Sequence, residues 1–187
     1  MIRARAAGRW ARYHRRRLYE RPVMSKLTIR AAEPADVPQI LAFVRELAIY
    51  EKALDEVVAT EAMLETSLFG PGSTVDAVLC ERDGRAIGFA VYFFNYSTWL
   101  GRNGLYLEDL FVQPAARGEG AGRALLVHLA RMAVDRGCGR FEWSVLDWNR
   151  PAIDFYESLG AVAQSEWIGY RLEGPALRRL AETASPA

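Results

Sequence analysis

A run of alternating glycines between a predicted strand and a predicted helix is the feature that most restricts how this chain can fold. An apolar strand ends at Val112, and Gly118, Gly120 and Gly122 follow it closely. Apolar residues then recur at helical spacing to about Arg136. Closely spaced glycines let backbone N–H groups approach a ligand, and a helix N-terminus favours anions. The segment therefore predicts a phosphate-binding loop between a strand and a helix.

The spacing of these glycines excludes two familiar nucleotide loops. No Lys-Ser or Lys-Thr pair follows them, as a Walker loop requires, and the pattern G-x-G-x-G differs from the dinucleotide fingerprint G-x-G-x-x-G. Tight packing of a turn would account for the glycines, but it gives no reason for Arg117 beside them. An anion-binding loop of another kind is therefore favoured.

The rest of the chain reads as alternating strands and helices, with no linker or internal repeat from Lys26 onward. Asp83-Gly84, between two β-rich runs, predicts a tight hairpin. The predicted strands cover 26–31, 75–81, 85–94, 103–112, 141–146 and 168–172, and the predicted helices cover 33–50, 60–69, 120–136 and 149–159. This order predicts an α/β (α+β) fold, with a mixed sheet and helices on both of its faces.

Charge divides the chain near residue 24. Residues 1–24 carry eight arginines against one acid, Glu20, whereas the remaining residues carry a net charge of −6. We expect residues 1–24 to be a disordered extension or a mis-assigned start, and residues 25–187 to form a single domain. A segment that binds nucleic acid or an anionic membrane, or a transit peptide, is the alternative for the arginine-rich part.

Composition narrows the class of protein further. Two cysteines, Cys80 and Cys138, cannot frame a disulfide-rich domain or a four-cysteine zinc site, so a cytoplasmic location is expected. Neither His14 nor His128 has a partner at metal-ligand spacing, and we expect no metal. The longest apolar stretch, 86–94, is far shorter than the ~20 residues of a membrane helix, and we expect no membrane association.

Further motifs follow one another in a characteristic order. They are Tyr50-Glu51, Asn-Tyr-Ser-Thr-Trp at 95–99, Leu-Tyr-Leu-Glu-Asp at 105–109, Trp-Asn-Arg-Pro at 148–151 and Phe155-Tyr156. Together with the R-x-x-G-x-G segment at 117–122, they resemble the GNAT N-acetyltransferase superfamily. Within it, the chain is most similar to the thialysine N-acetyltransferase type of the diamine acetyltransferase (spermidine/spermine N1-acetyltransferase) branch. The resemblance covers about residues 27–171.

This resemblance implies a GNAT fold, in which a mostly antiparallel central sheet splays between two middle strands, here those ending at Val112 and beginning at Phe141. Acetyl-CoA is the implied co-substrate, with its pantetheine in the gap. The implied cofactor-binding residues are Leu110, Phe111, Val112, Arg117, Gly118, Glu119, Gly120, Ala121, Gly122, Arg123, Asn149, Arg150, Pro151, Ala152 and Tyr156. Relatives of this kind are homodimers, so we expect a homodimer, with the predicted strand 168–172 crossing between subunits.

Acetyl transfer to an amine needs a base and benefits from an acid. A lysine-like amine of pKa ~10.4 is deprotonated in about one molecule in 2,500 at pH 7, which costs ~4.6 kcal/mol, and a departing thiolate is itself basic. Strand alternation places Glu108 and Asp109 on opposite faces unless a bulge intervenes. The resemblance assigns Glu108 as the base, directly or through water, and Tyr156 as the acid. The alternative for Glu108 is an ion pair that stabilises the sheet, and the alternative for Tyr156 is a position in the core. For Asp109 we expect such an ion pair.

The resemblance also implies an amine site. Its substrate-side positions are Tyr50, Glu51, Ser97, Trp99 and Glu108. Polyamine enzymes carry an acid and a proline where this chain has Ser97-Thr98, so we favour a small thialysine-like or lysine-like amino acid. The alternatives are a polyamine such as spermidine or putrescine, a protein lysine or N-terminus, or a non-enzymatic protein that binds acetyl-CoA or nucleic acid. Nucleic acid is not the expected partner.

Overall fold

The computed structural model describes residues 26–183, which form two compact units. The first unit runs to Trp143 and the second begins at Ser144. The predicted extension over residues 1–24 lies outside the described residues, as does His14. The single domain over 25–187 stays a prediction.

A five-stranded sheet, with its strands in chain order, forms the frame of the first unit. Its first four strands pair antiparallel and the fifth pairs in parallel with the fourth. The strands are β1 (Leu27–Ala31), β2 (Val75–Arg82), β3 (Arg85–Ser97), β4 (Arg102–Val112) and β5 (Phe141–Trp143). The predicted mixed, mostly antiparallel sheet is confirmed.

Within the described residues 26–143, the same unit has three α-helices. They are α1 (Val37–Glu51), α2 (Glu61–Phe69) and α3 (Ala121–Asp135). A one-turn 3-10 helix, Pro34–Asp36, precedes α1, and Thr60 caps α2 by accepting the N–H of Met63. These residue types are the ones that satisfy the unpaired N–H groups of a helix start, so the sequence predicts the starts well.

The sheet buries one aromatic core against α1 and α2. Phe43 of α1 stacks on Phe89 of β3 and lies against Phe111 of β4, with ring centroids 5.6 and 5.9 Å apart. All three rings are almost inaccessible to solvent. The helix α3 buries its own apolar stripe, which includes Leu125 and Leu129, against the sheet. The end of β4 is thereby fixed by packing, which makes it a rigid support for a site.

The strand β4 carries one residue more than β3 at a bulge. Val91 lies opposite Asp109 and Tyr92 lies opposite Leu107, so Glu108 has no partner in the register. A bulge resets the alternation of side chains, because two residues on one strand share the space opposite one residue on the other. Glu108 and Asp109 are therefore not held on opposite faces, as strict alternation would require.

The pairing between β4 and β5 is short. It covers only the three pairs from Leu105 with Phe141 to Leu107 with Trp143. From Glu108 to Val112, no strand within residues 26–183 pairs with this edge of β4. The strands that end at Val112 and begin at Phe141 are neighbours, as predicted, and the end of β4 is open beside them. The prediction that they are the two middle strands is wrong within residues 26–183, because β5 is the edge strand there. Because β5 ends at Trp143, the prediction that the strand extends to Leu146 is wrong.

Over residues 144–183, the second unit has two helices, α4 (Arg150–Ser158) and α5 (Gly174–Glu182). The Asn149 side chain accepts the N–H of Ala152, which confirms the predicted cap of α4. The predicted strand over 168–172 is wrong, because that stretch is irregular, with Ile168 76% exposed. A strand needs a neighbouring strand to satisfy its backbone, and none lies beside this stretch within the described chain.

Candidate active site

Three carboxylates from two elements form the most unusual electrostatic feature of the first unit. Glu108 and Asp109 lie at the bulge of β4, and Glu51 is the last residue of α1. Lys52 follows it with a φ of 63°, the left-handed conformation that ends the helix. A helix C-terminus favours cations over anions, so Glu51 stands where a carboxylate costs free energy.

The pKa values of two of these acids are raised, and negative charge nearby contributes to the shift of Asp109. Burial raises the pKa of Asp109 to about 6, and repulsion from Glu108 and Glu51 adds to the effect. Burial also raises the pKa of Glu51. No ion pair of Asp109 occurs anywhere in residues 26–183, so the expected sheet ion pair is wrong. The arrangement suits a bound cation.

The ring of Tyr50 lies one residue before Glu51 and is contacted by the arginine of the glycine loop. The Arg117 guanidinium carbon lies 5.0 Å from the centroid of Tyr50 and 5.7 Å from that of Phe111. Its Nε donates a hydrogen bond to the carbonyl oxygen of Val112 at 3.0 Å. The structure therefore brings Tyr50, Glu51, the end of β4 and the start of the glycine loop together.

The glycine loop combines a left-handed backbone with an open helix start. Gly118 and Gly120 have φ values of 79° and 89°, and a Cβ at either position would meet no atom within 4 Å. Gly120 precedes α3, and no side chain caps the N-terminus of that helix. Glu119, the acidic residue of the loop, forms an ion pair with Arg82 at the end of β2. The start of α3 therefore has no side-chain cap, and the space beside Gly118 and Gly120 is open.

The structure separates two of the predicted substrate residues from the carboxylates. Ser97 ends β3 opposite Arg102, six residues along β4 from Glu108, which corresponds to about 20 Å at the rise of a strand. The Ser97 hydroxyl is buried and accepts the N–H of Leu100. Trp99 is 88% exposed in the same turn. Both assignments to the amine site stay predictions, because within one chain these residues do not reach Glu108.

The remaining predicted residues lie in the second unit. Tyr156 lies half-buried on α4 with its ring 5.5 Å from that of Phe155. Arg150 forms an ion pair with Asp154 one turn along the helix, at 2.8 Å. Pro151 and Ala152 occupy the first turn of α4. The catalytic role of Tyr156 and the cofactor contacts of Asn149–Ala152 stay predictions.

Comparisons with known proteins agree on one family. The model described as the acetyltransferase (GNAT) family matches residues 44–161. The chain is 40% identical to the thialysine N-epsilon-acetyltransferase of Sus scrofa over 169 residues, which cover 84% of this chain and 99% of that protein. It is 32% identical to an L-ornithine N5-acetyltransferase of Arabidopsis thaliana over 197 residues, 81% of this chain and 86% of that protein.

A solved structure agrees in fold. An integron cassette protein from the mobile metagenome of V. cholerae superposes with a TM-score of 0.71 at 30% identity, and the match covers 84% of this chain and 98% of that chain. The family model and the named relatives show that the chain is an acetyltransferase. The chain belongs to the GNAT acetyltransferase family.

The glycine loop fits the co-substrate that this family uses, acetyl-CoA. A pyrophosphate needs unobstructed backbone N–H groups, and Gly118, Gly120 and the open start of α3 provide them. Within residues 26–183 no group of His, Cys, Asp or Glu side chains comes together as a metal site requires. No helix in that part of the chain is long and apolar enough to cross a membrane.

Sequence reasoning missed one residue and one contact of this region. Asp109 was expected in an ion pair, and its place beside Glu108 depends on a bulge that periodicity does not reveal. The contact of Arg117 with Tyr50 joins residues far apart in sequence, so no local pattern indicates it. The one available signal was the pair of adjacent acids in an otherwise apolar strand.

Proposed function

We propose that this protein transfers the acetyl group of acetyl-CoA to a primary amine of a small, lysine-like amino acid. The observation that carries the proposal is the carboxylate cluster of Glu51, Glu108 and Asp109 at the end of β4. Glu108 and Glu51 add to the cost of ionising the buried Asp109, and a bound ammonium group offsets that cost. The thialysine and ornithine acetyltransferases among the relatives act, by name, on amino acids with a side-chain amine.

Two of the acids have separate tasks in this proposal. Glu108 is exposed at the bulge and accepts the proton of the substrate ammonium, directly or through a water molecule. Asp109 is more buried and holds the cation by charge. Because the pKa of Asp109 is about 6, it is mostly ionised at pH 7 and mostly protonated at pH 5. Amine binding should therefore weaken as the pH falls through 6.

Tyr156 supplies a proton to the sulfur that leaves, in keeping with the family match. Acetyl-CoA supplies the activated acyl group when it binds along the free edge of β4. The attack on that group is direct, with no acetyl group carried by the protein. Cys80 is fully buried in β2, and burial raises the pKa of its thiol, which makes it a poor nucleophile.

A polyamine is the second candidate substrate. One of the relatives is a human protein named spermidine/spermine N(1)-acetyltransferase-like protein 1, 35% identical over 156 residues. A polyamine carries additional ammonium groups and no carboxylate, so it favours more acids around the site than an amino acid does. By the resemblance, Ser97-Thr98 stands where polyamine enzymes have an acid and a proline, and the missing acid favours the amino acid.

The test is CoA release by the full chain with thialysine, lysine, ornithine, spermidine and a histone-tail peptide. We expect the highest kcat/KM with one of the three amino acids. The variant Glu108→Gln keeps the size of the side chain and should lose most activity, while Glu142→Gln on β5 is the matched control and should retain it. A clear preference for spermidine, or for the peptide, would overturn the assignment of the substrate.

We further propose a cytoplasmic homodimer. The homodimer rests on the family resemblance and on the exposed apolar residues Trp167, Ile168 and Tyr170, which are 68%, 76% and 93% exposed in the second unit. Apolar side chains so close together commonly mark an interface. Sedimentation equilibrium of the wild-type protein and of Ile168→Asp tests this. A monomeric wild-type protein contradicts it.

A further inference from the structure

The segment that joins β4 to the glycine loop is tied to α1 at two places. The Gln113 side chain donates a hydrogen bond to Glu46 at 3.4 Å, and the Arg117 guanidinium lies over the Tyr50 ring at 5.0 Å. Glu46 and Tyr50 are one turn apart on α1, so they lie on the same face of the helix. The last turn of α1, which carries Glu51, is therefore held against the cofactor-binding part of the fold.

Of the two residues that tie this segment to α1, Arg117 makes more contacts. Its Nε bonds to the carbonyl oxygen of Val112, and its planar face lies near the rings of Tyr50 and Phe111. A guanidinium can stack on aromatic rings and donate in its own plane at the same time, whereas the ammonium of a lysine cannot reproduce both contacts. The same side chain thus contacts the end of β4 and the end of α1.

We propose that Arg117 is a positioning residue for the amine site and not chiefly a ligand of the phosphates. It fixes Tyr50, and with it Glu51, relative to the end of β4, where the acetyl group must be presented. This inference rests on the proposed function, since the amine site is the one inferred above. It reassigns a residue that the sequence pattern alone places in the phosphate loop.

The test compares Arg117→Lys and Arg117→Met with the wild-type protein. We expect both variants to raise KM for the amine about five-fold or more, with a smaller change in kcat, because methionine makes neither contact as a cation or donor and lysine cannot make both at once. The Kd for acetyl-CoA, measured by titration calorimetry, should change less than about two-fold. Arg131→Met on the exposed face of α3 is the matched control and should change neither quantity.

A phosphate ligand gives the opposite pattern. Lysine binds phosphate as a point charge, so Arg117→Lys would then retain the affinity for acetyl-CoA while Arg117→Met lost it. That result would overturn the proposal. A double-mutant cycle with Tyr50→Leu provides a second criterion. We expect the effect of Arg117→Met on amine KM to vanish when Tyr50 is already leucine, and fully additive effects would contradict the coupling.

A measurement without turnover separates this inference from the proposed function. Amide hydrogen exchange at 48–53 reports the end of α1, where the Ala53 N–H donates to the carbonyl of Ala48. We expect faster exchange there in Arg117→Met than in Arg131→Met, whichever amine is the substrate. If the wild-type protein acetylates none of the amines, the proposed function fails, while the exchange result still supports or refutes the contact between Arg117 and α1.

Discussion

Replacing Asp109 with asparagine is expected to stabilise the folded protein at neutral pH. The pKa of Asp109 is raised from 3.8 to about 6 in the folded state. Between these values the folded state binds more protons than the unfolded chain, so the free energy of unfolding falls as the pH rises from about 4 to 6. The full difference corresponds to about 3 kcal/mol above pH 6. Asparagine carries no charge, so the free energy of unfolding of the variant does not fall in this way as the pH rises.

Thermal unfolding followed by circular dichroism tests this reasoning. For a chain of this length, about 3 kcal/mol corresponds to a rise in Tm of roughly 6–12 °C at pH 8. The rise should shrink to about a third of this at pH 4.5, and it should approach zero only below the unfolded pKa of 3.8. Both proteins must be compared at one protein concentration, because association shifts Tm. Asp135→Asn, on an exposed part of α3, is the matched control. A lower Tm for Asp109→Asn at pH 8, or a gain independent of pH, would refute the argument.

Three further changes test other parts of the structure. Tyr156→Phe should lower kcat about 100-fold or more while the Kd for acetyl-CoA in calorimetry stays near that of the wild type, and equal kcat values would remove this hydroxyl from the mechanism. Asp36→Asn should cost about 2 kcal/mol of stability at pH 7 in urea unfolding, because Arg30 donates to this carboxylate at 2.6 and 2.8 Å. The ion pair with Arg30 also lowers the pKa of Asp36. The stability difference between the variant and the wild type should therefore disappear as the pH falls through that lowered pKa. A difference that persists in acid would contradict the role of the charge. Gly88→Ala should destabilise the fold by about 1–3 kcal/mol and raise KM for acetyl-CoA. A Cβ there would lie 2.5 Å from the carbonyl oxygen of Phe111 at the end of β4. An unchanged Tm would show that the strand moves to accommodate the methyl group.

The sequence predicts the regular parts of this fold because local chemistry determines them. Asp83 and Gly84 have φ values of 52° and 76°, as the tight turn predicted from Asp-Gly requires. Helix α5 was not predicted, because its short, strongly charged segment lacks a long apolar stripe. The expected strand at 168–172 failed for a different reason. A strand is completed by a neighbour, and an apolar run alone does not supply one.

The candidate site was predictable only where it depends on consecutive residues. The glycine loop is read from 117–122 directly. The carboxylate cluster is not, because a bulge at Glu108 and the end of α1 must both be in place before Glu51 can influence Asp109. Likewise, spacing in the sequence says nothing about whether Trp99 lies near Glu108, which depends on the length of the hairpin between β3 and β4.

The order of the strands in the sheet has a consequence for how the protein folds. From β2 to β4 each strand pairs with its neighbour in the chain across a short turn, and such local pairings form quickly. The connection between β4 and β5 contains all of α3, and the parallel pairing that closes it comprises only three residue pairs. Closing this loop therefore costs chain entropy and forms few stabilising contacts. We expect the meander to form early in refolding and β5 to join last. On the proposed site, acetyl-CoA binds beside that final junction, and it should then slow unfolding far more than it speeds folding.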